Sequence, residues 1–121
     1  ERDTSLVDVA YDLAQSLYRH TARFPDDERP GIGAQLRATV LSVASHVADG
    51  LTTDDPAERQ EVLRQAAIGC VTLDIELRLA LDLGCLQSVD PEAWESLRDE
   101  LAASIEAVAD GIALERRSVR R

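Results

Sequence analysis

Two histidines, two cysteines and scattered acidic runs are the residues of this chain with the chemistry to hold a metal or move a proton. Carboxylate-bridged di-metal sites in helical bundles need Glu-x-x-His on facing helices. His20 is preceded at three residues by Leu17, and His46 by Val43, so neither completes that motif. His46-Val47-Ala48-Asp49 puts an imidazole and a carboxylate on one helical face, but two ligands do not close a site. Cys70 and Cys85 lie about 22 Å apart along one predicted helix at 1.5 Å per residue, too far to pair. They read as small core side chains in a reducing compartment. Asp74 and Glu76, in VTLDIELRLAL, have the setting of a buried acid with a shifted pKa. The stronger expectation is charges flanking a packing seam and meeting Arg37 or Arg78 from a neighbouring helix.

Two further stretches have an ion-binding look. Asp26-Asp27-Glu28 and Asp54-Asp55-x-x-Glu58 lack the alternating oxygen ligands and the glycine of a calcium loop, and are read as solvated loop charge and helix-start carboxylates. Pro30-Gly31-Ile32-Gly33 opens a helical pattern with free backbone N–H groups, a generic anion site. The Lys and Ser/Thr pair of a P-loop is missing, which argues against a nucleotide. No catalytic set emerges, and the expectation is a protein that is not an enzyme and carries neither cofactor nor metal.

The chain carries 23 acids against 13 basic residues, all arginine, for a net charge of −10. Such a balance repels phosphate backbones unless positive charge is gathered on one face. Only the tail does so: Glu115-Arg116-Arg117-Ser118-Val119-Arg120-Arg121 has a net +3, leaving −13 on residues 1–114. Cations at a helix C-terminus explain it without a ligand; the alternative is a nucleic-acid contact by Arg37, Arg116, Arg117, Arg120 and Arg121. No apolar run reaches the roughly 18 residues that span a bilayer, and no signal peptide is visible, so no membrane partner and a cytoplasmic location are expected.

The elements that would position these groups are helical. With 45% hydrophobic but only 3% aromatic residues, the core has to come from interdigitating Leu, Val, Ile and Ala, and 121 residues suit a single domain. Leu6, Val9, Ala10, Leu13 and Leu17 mark a first helix over about 4–22, capped by Thr4 or Ser5 and stopped by Pro25. Ile32, Leu36, Val40, Val43 and Val47 mark a second over about 31–49, with Gly50 placed to end it. Asp55-Pro56 starts a third, whose Leu63, Ala66, Cys70, Leu73, Leu77 and Ala80 form the clearest seam before Gly84. Asp90-Pro91 starts a fourth, bearing Trp94, Leu97, Leu101, Ile105, Val108 and Ile112. The fold class expected is all-α, an antiparallel up-down-up-down four-helix bundle, with the longer third and fourth helices projecting or packing against another subunit.

Two blocks carry a resemblance. FPDDERPGIGAQLRATVLSVASHVADG, residues 24–50, matches without gaps the pattern FPxxERxGLxxQLRRAxxSIxxNIAEG, and LDIELRLALDLGCL, residues 73–86, resembles ELExQLxLAxxLGYL. These are patterns of the bacterial four-helix bundle proteins named for reading frames in 23S rRNA intervening sequences, a family that includes the accessory variability protein of diversity-generating retroelements. The chain departs from the pattern at Ala38, His46, Asp49 and Thr72. The resemblance implies a ring-shaped homopentamer acting as an interaction or scaffold protein, with a protein partner at its exposed ends. The retroelement member adds the alternative of a nucleic-acid-binding accessory protein working beside a reverse transcriptase. Phe24, Glu28, Arg29, Arg37, Asp74 and Arg78 are the residues expected to pair helices or subunits, with Phe24 folded back as a plug on the core.

Overall fold

The first helix begins where Ser5, in an extended conformation, turns its hydroxyl to accept from the Asp8 N–H at 3.1 Å, an N-cap that satisfies one of the free donors of the first turn. From there α1 runs over Leu6–Thr21. The third helix, α3, starts in the same way: Asp55 accepts from the Glu58 N–H at 2.9 Å and Pro56 takes the first helical position, where its missing N–H costs nothing. The computed structural model describes residues 5–85 and 91–119, without the side chains of 91–94 and 119. Its elements are α1, a π-helical turn over Arg29–Gly33, α2 over Ala34–Thr52, α3 over Pro56–Asp82 and α4 over Pro91–Val119, with no strand among the described residues. The fold is all-α with four helices. Trp94, Asp90, Arg120 and Arg121 fall wholly or by their side chains outside what is described.

Helix ends show how closely local rules were followed. At the end of α3 the Gly84 N–H donates to the Leu81 carbonyl and the Cys85 N–H to the Ala80 carbonyl, both at 3.0 Å. Gly84 has φ 76°, the left-handed conformation that closes a helix in this way. The expectation that Gly50 plays the same part is overturned. Gly50 lies inside α2 and is buried, because a Cβ there would stand 2.5 Å from Leu63 Cδ2 and 2.8 Å from Leu63 Cγ. It is a point of close approach between α2 and α3 rather than a cap.

The segment before α2 also differs from the expected free helix start. The N–H groups of Glu28 and Arg29 donate to the Pro25 carbonyl, that of Gly33 to Glu28, and that of Ala34 to Arg29. The backbone thus takes up the Gly33 and Ala34 donors that a plain helix start would leave free. Most of the set foreseen by spacing is buried: Ala10, Leu13 and Leu17 from α1, Ile32 before α2, Leu36, Val40, Val43 and Val47 from α2, Leu63, Ala66, Cys70, Leu73, Leu77 and Ala80 from α3, and Leu101, Ile105, Val108 and Ile112 from α4, while Leu6, Val9 and Leu97 are only partly buried against it. Phe24 closes one end, buried, with Cδ2 3.4 Å from where a Gly33 Cβ would lie. Both cysteines are buried free thiols.

Candidate functional site

Helix α3 is apolar on two sides. Leu63, Ala66, Cys70, Leu73, Leu77 and Ala80 face the core. Ile68, Val71, Ile75 and Leu79 recur at the same three-and-four spacing half a turn away and are 46–62% exposed, as is Leu83 beyond them. A helix within a single bundle needs only one such stripe. The outer stripe was missed by sequence reading, although it was legible in VTLDIELRLAL as a second apolar register interleaved with the first.

Two grooves flank this ridge. Towards α4, Ala67, Cys70, Val71 and Asp74 face Ala102, Ile105, Glu106 and Ala109 across a groove of about 320 Å³. It continues past Asp74 and Ala102 into a smaller one of about 180 Å³ between Leu77, Leu81 and Arg98. Towards α2 a second groove mixes polar Ser42, His46, Gln65 and Thr72 with apolar Ala38 and Ile68. There Ser42 Oγ and His46 Nδ1 are 3.3 Å apart, and among the described residues no carboxylate holds the imidazole.

The charges around the ridge are paired on their own helices. Arg78 meets Asp74 at 3.4 Å, Arg64 meets Glu61 at 2.8 Å, and Arg98 meets Asp99 at 3.3 Å. Hydrogen bonds from Arg64 and Gln65 hold the exposed Glu61 carboxyl down at about 2. Asp74 thus finds Arg78, as foreseen, but one turn along α3 instead of across to another helix. Glu76 finds no arginine: its Oε2 accepts from the Thr39 hydroxyl at 3.0 Å, and its buried Oε1 has no protein partner. Burial raises this carboxyl, partly countered by the Thr39 hydrogen bond.

The remaining expected residues gather at the turn between α1 and α2. Arg37 Nε donates to Thr21 Oγ1 at 2.7 Å and its Nη2 to the Tyr18 carbonyl at 3.0 Å, while the guanidinium sits 4.6 Å from the Tyr18 ring centroid. A cation is favourable at a helix C-terminus, so Arg37 caps α1. Arg29 Nη2 bonds Asp26 at 2.6 Å and its Nη1 reaches the Ala22 carbonyl at 3.4 Å. The Cys85 thiol donates to Glu28 at 3.9 Å. Segment 24–37 therefore binds the ends of α1, α2 and α3 to one another within one chain.

Of the tail arginines, Arg116 is engaged. Its Nε donates to Gln60 Oε1, and Gln60 Nε2 donates to the Arg116 carbonyl, both at 2.9 Å; beside them Arg59 meets Glu115 at 3.3 Å. Arg117 is exposed, and Arg120 and Arg121 lie outside the described residues. The structure does not bring Arg37 together with Arg116: one sits on the last turn of α1, the other on the first turns of α3.

The titratable groups are dispersed. Burial pushes the Cys70 thiol up to about 11, and burial with the nearby Glu28 and Asp27 charges raises Cys85, which keeps both thiols protonated and unreactive at neutral pH. Among the described residues no three of His, Cys, Asp and Glu stand close enough to hold a metal ion, and no helix is long and apolar enough to cross a membrane.

A comparison with curated proteins finds no match. The family model described as 23S rRNA-intervening sequence protein matches residues 2–107, a span that takes in the 24–50 clasp, both faces of α3 and most of α4. The chain belongs to the family of 23S rRNA-intervening sequence proteins.

Proposed function

We propose that this chain is a non-enzymatic, self-associating interaction protein of the cytoplasm, built as an antiparallel up-down-up-down bundle whose copies close into a ring, a pentamer by the family resemblance. The helix order is supported by cross-helix contacts. Thr39 with Glu76, Val43 with Gly69 and Gly50 with Leu63 climb α2 as they descend α3, and Leu6 against Gly111 places the start of α1 on the last turns of α4.

Self-association is carried by one observation, the outer apolar stripe of α3. Burying a Leu, Ile or Val side chain is worth roughly 1.5–3 kcal/mol relative to full exposure, so leaving this row half-exposed in water has a standing cost that a partner removes. Contiguous apolar patches of this kind mark interaction surfaces. The dispersed acids and protonated thiols support the non-enzymatic part of the reading. The test is a solution mass by light scattering at micromolar concentration; a species of 13.2 kDa defeats the proposal.

A nucleic-acid-binding accessory role, beside a reverse transcriptase partner, has narrower support, in the exposed Arg117 and the basic end it begins. Arg37 and Arg116 spend their guanidinium groups on Tyr18, Thr21 and Gln60. Binding to mixed-sequence RNA that weakens steeply with salt supports that role, and no binding at low salt removes it.

A further inference from the structure

We propose that the outer face of α3 seats a second copy of this chain, with the Val71, Ile75 and Leu79 ridge of one copy lying in the α3/α4 groove of the other. This rests on the self-association proposed above and specifies its surface. Ridge and groove are matched in kind. The ridge offers large branched side chains; the groove walls are Ala67, Ala102 and Ala109 over a floor of Cys70 and Ile105. Small side chains let a neighbouring helix approach closely, so that knobs from one surface enter holes in the other.

Extent agrees with this occupant. From Ile68 to Leu83 the ridge runs about 22 Å at 1.5 Å per residue. Its five half-exposed side chains present roughly 500 Å² of surface, in the upper part of the ~300–600 Å² spanned by the largest, often functional, apolar patch of a typical monomeric protein.

Charge selects a second copy over a basic partner. The chain carries −10, yet beside the ridge Asp74, Glu61 and Asp99 are matched by Arg78, Arg64 and Arg98, which leaves the exposed Glu106 on the groove wall as the carboxylate outside these pairs. Two like-charged molecules therefore meet across a face with little net charge. A basic partner is steered instead to unbalanced acids, such as the exposed Asp54, Asp55 and Glu58 where α2 passes into α3.

The test is sedimentation equilibrium across a dilution series for the wild type, Val71→Asp, Ile75→Asp, Ala102→Trp and Leu114→Asp. Every substituted side chain is exposed in the single chain, and circular dichroism reports whether each variant keeps its helices. Leu114 is a control, an exposed apolar side chain that lines neither part of the groove. Expected is an associating wild type, with association at least thirtyfold weaker for the two ridge variants and for the groove-filling tryptophan, as for loss of an interface hot spot, and unchanged for Leu114→Asp. A wild type that associates while the ridge variants associate equally well overturns this surface and leaves self-association standing. A weakened ridge with an unaffected Ala102→Trp overturns the groove as its seat. A monomeric wild type overturns both.

Discussion

Replacing Gly50, Gly69 and Gly111 by alanine, one at a time, should give three different outcomes from one chemical change. Each lies inside a helix, so the added methyl contributes about 1 kcal/mol through helix propensity. Each also places a Cβ 2.5 Å from a neighbouring side-chain carbon, and the outcome depends on what must move. At Gly50 the obstacle is Leu63, whose branch carbon is itself only 2.8 Å away and whose side chain is fully enclosed. At Gly69 it is Val43 Cγ2, a β-branched side chain held to one rotamer in a helix. At Gly111 it is one terminal methyl of Leu6, whose other carbons are 3.6 Å away and which is only half-buried. Overpacking costs about 1–3 kcal/mol. Offset by propensity, Gly50→Ala should lose about 1–2 kcal/mol, Gly69→Ala about 1, and Gly111→Ala should be neutral or slightly stabilising. The assay is urea unfolding followed at 222 nm at one fixed protein concentration, read as a midpoint shift at constant slope. The decisive experiment repeats Gly50→Ala in a Leu63→Ala background. That substitution alone costs about 2–5 kcal/mol, but it removes the obstacle, so Gly50→Ala should then become stabilising. A loss of the same size in both backgrounds would refute the close approach of α2 and α3, and with it the register that turns Val71 and Ile75 outward.

Other consequences follow from single contacts. Arg37→Ala removes two hydrogen bonds and the cation at the end of α1 and should cost about 1.5–3 kcal/mol in urea unfolding, leaving the assembled mass of the folded protein unchanged; a mass that falls with stability intact would place Arg37 across a subunit contact. Glu76 is raised by burial, so the native state binds its proton more tightly than the unfolded chain and stability falls as pH rises from 4.5 through the native pKa. Glu76→Gln should therefore stabilise the protein at pH 7, with the advantage vanishing below pH 4.5; an advantage independent of pH would contradict the assignment. His20 is lowered, chiefly by burial and then by Arg19. Its unfolded form takes up a proton first, so stability should drop as pH falls below 6.5, and His20→Gln should flatten that slope in thermal unfolding; an unaltered slope would assign the drop to other groups.

What could be read from sequence was whatever local physics decides. Asp55-Pro56, Gly84 and the core stripe of α3 each depend on residues within one or two turns, and all appear where expected. Gly50 went the other way because glycine serves two ends, closing a helix or admitting a neighbour, and only Leu63 across the α2–α3 contact distinguishes them. Arg37 illustrates the same limit for a charge. Its partners Thr21 and Tyr18 lie 16 and 19 residues earlier, and nothing in QLR specifies a carbonyl at the end of α1 over any of the carboxylates nearby.

The outer stripe of α3 was obscured for a different reason. Two apolar registers half a turn apart merge in VTLDIELRLAL into one nearly continuous apolar run, broken at 74, 76 and 78 by charges. Either register could have been the buried one. The neighbouring helices decide: Val43 fits against Gly69, and Cys70 and Ile105 meet beneath the α3/α4 groove, which turns Leu63, Cys70, Leu73 and Leu77 inward and leaves Ile68, Val71 and Ile75 in water. The charges that break the run then acquire separate roles: Asp74 and Arg78 neutralise each other at the edge of the groove, while Glu76 is drawn to Thr39 on α2. A helix serving only its own core would lose nothing by carrying charges at Val71 and Ile75, as it does nearby at Asp74 and Arg78. Their apolar character accords with the second surface proposed to cover α3.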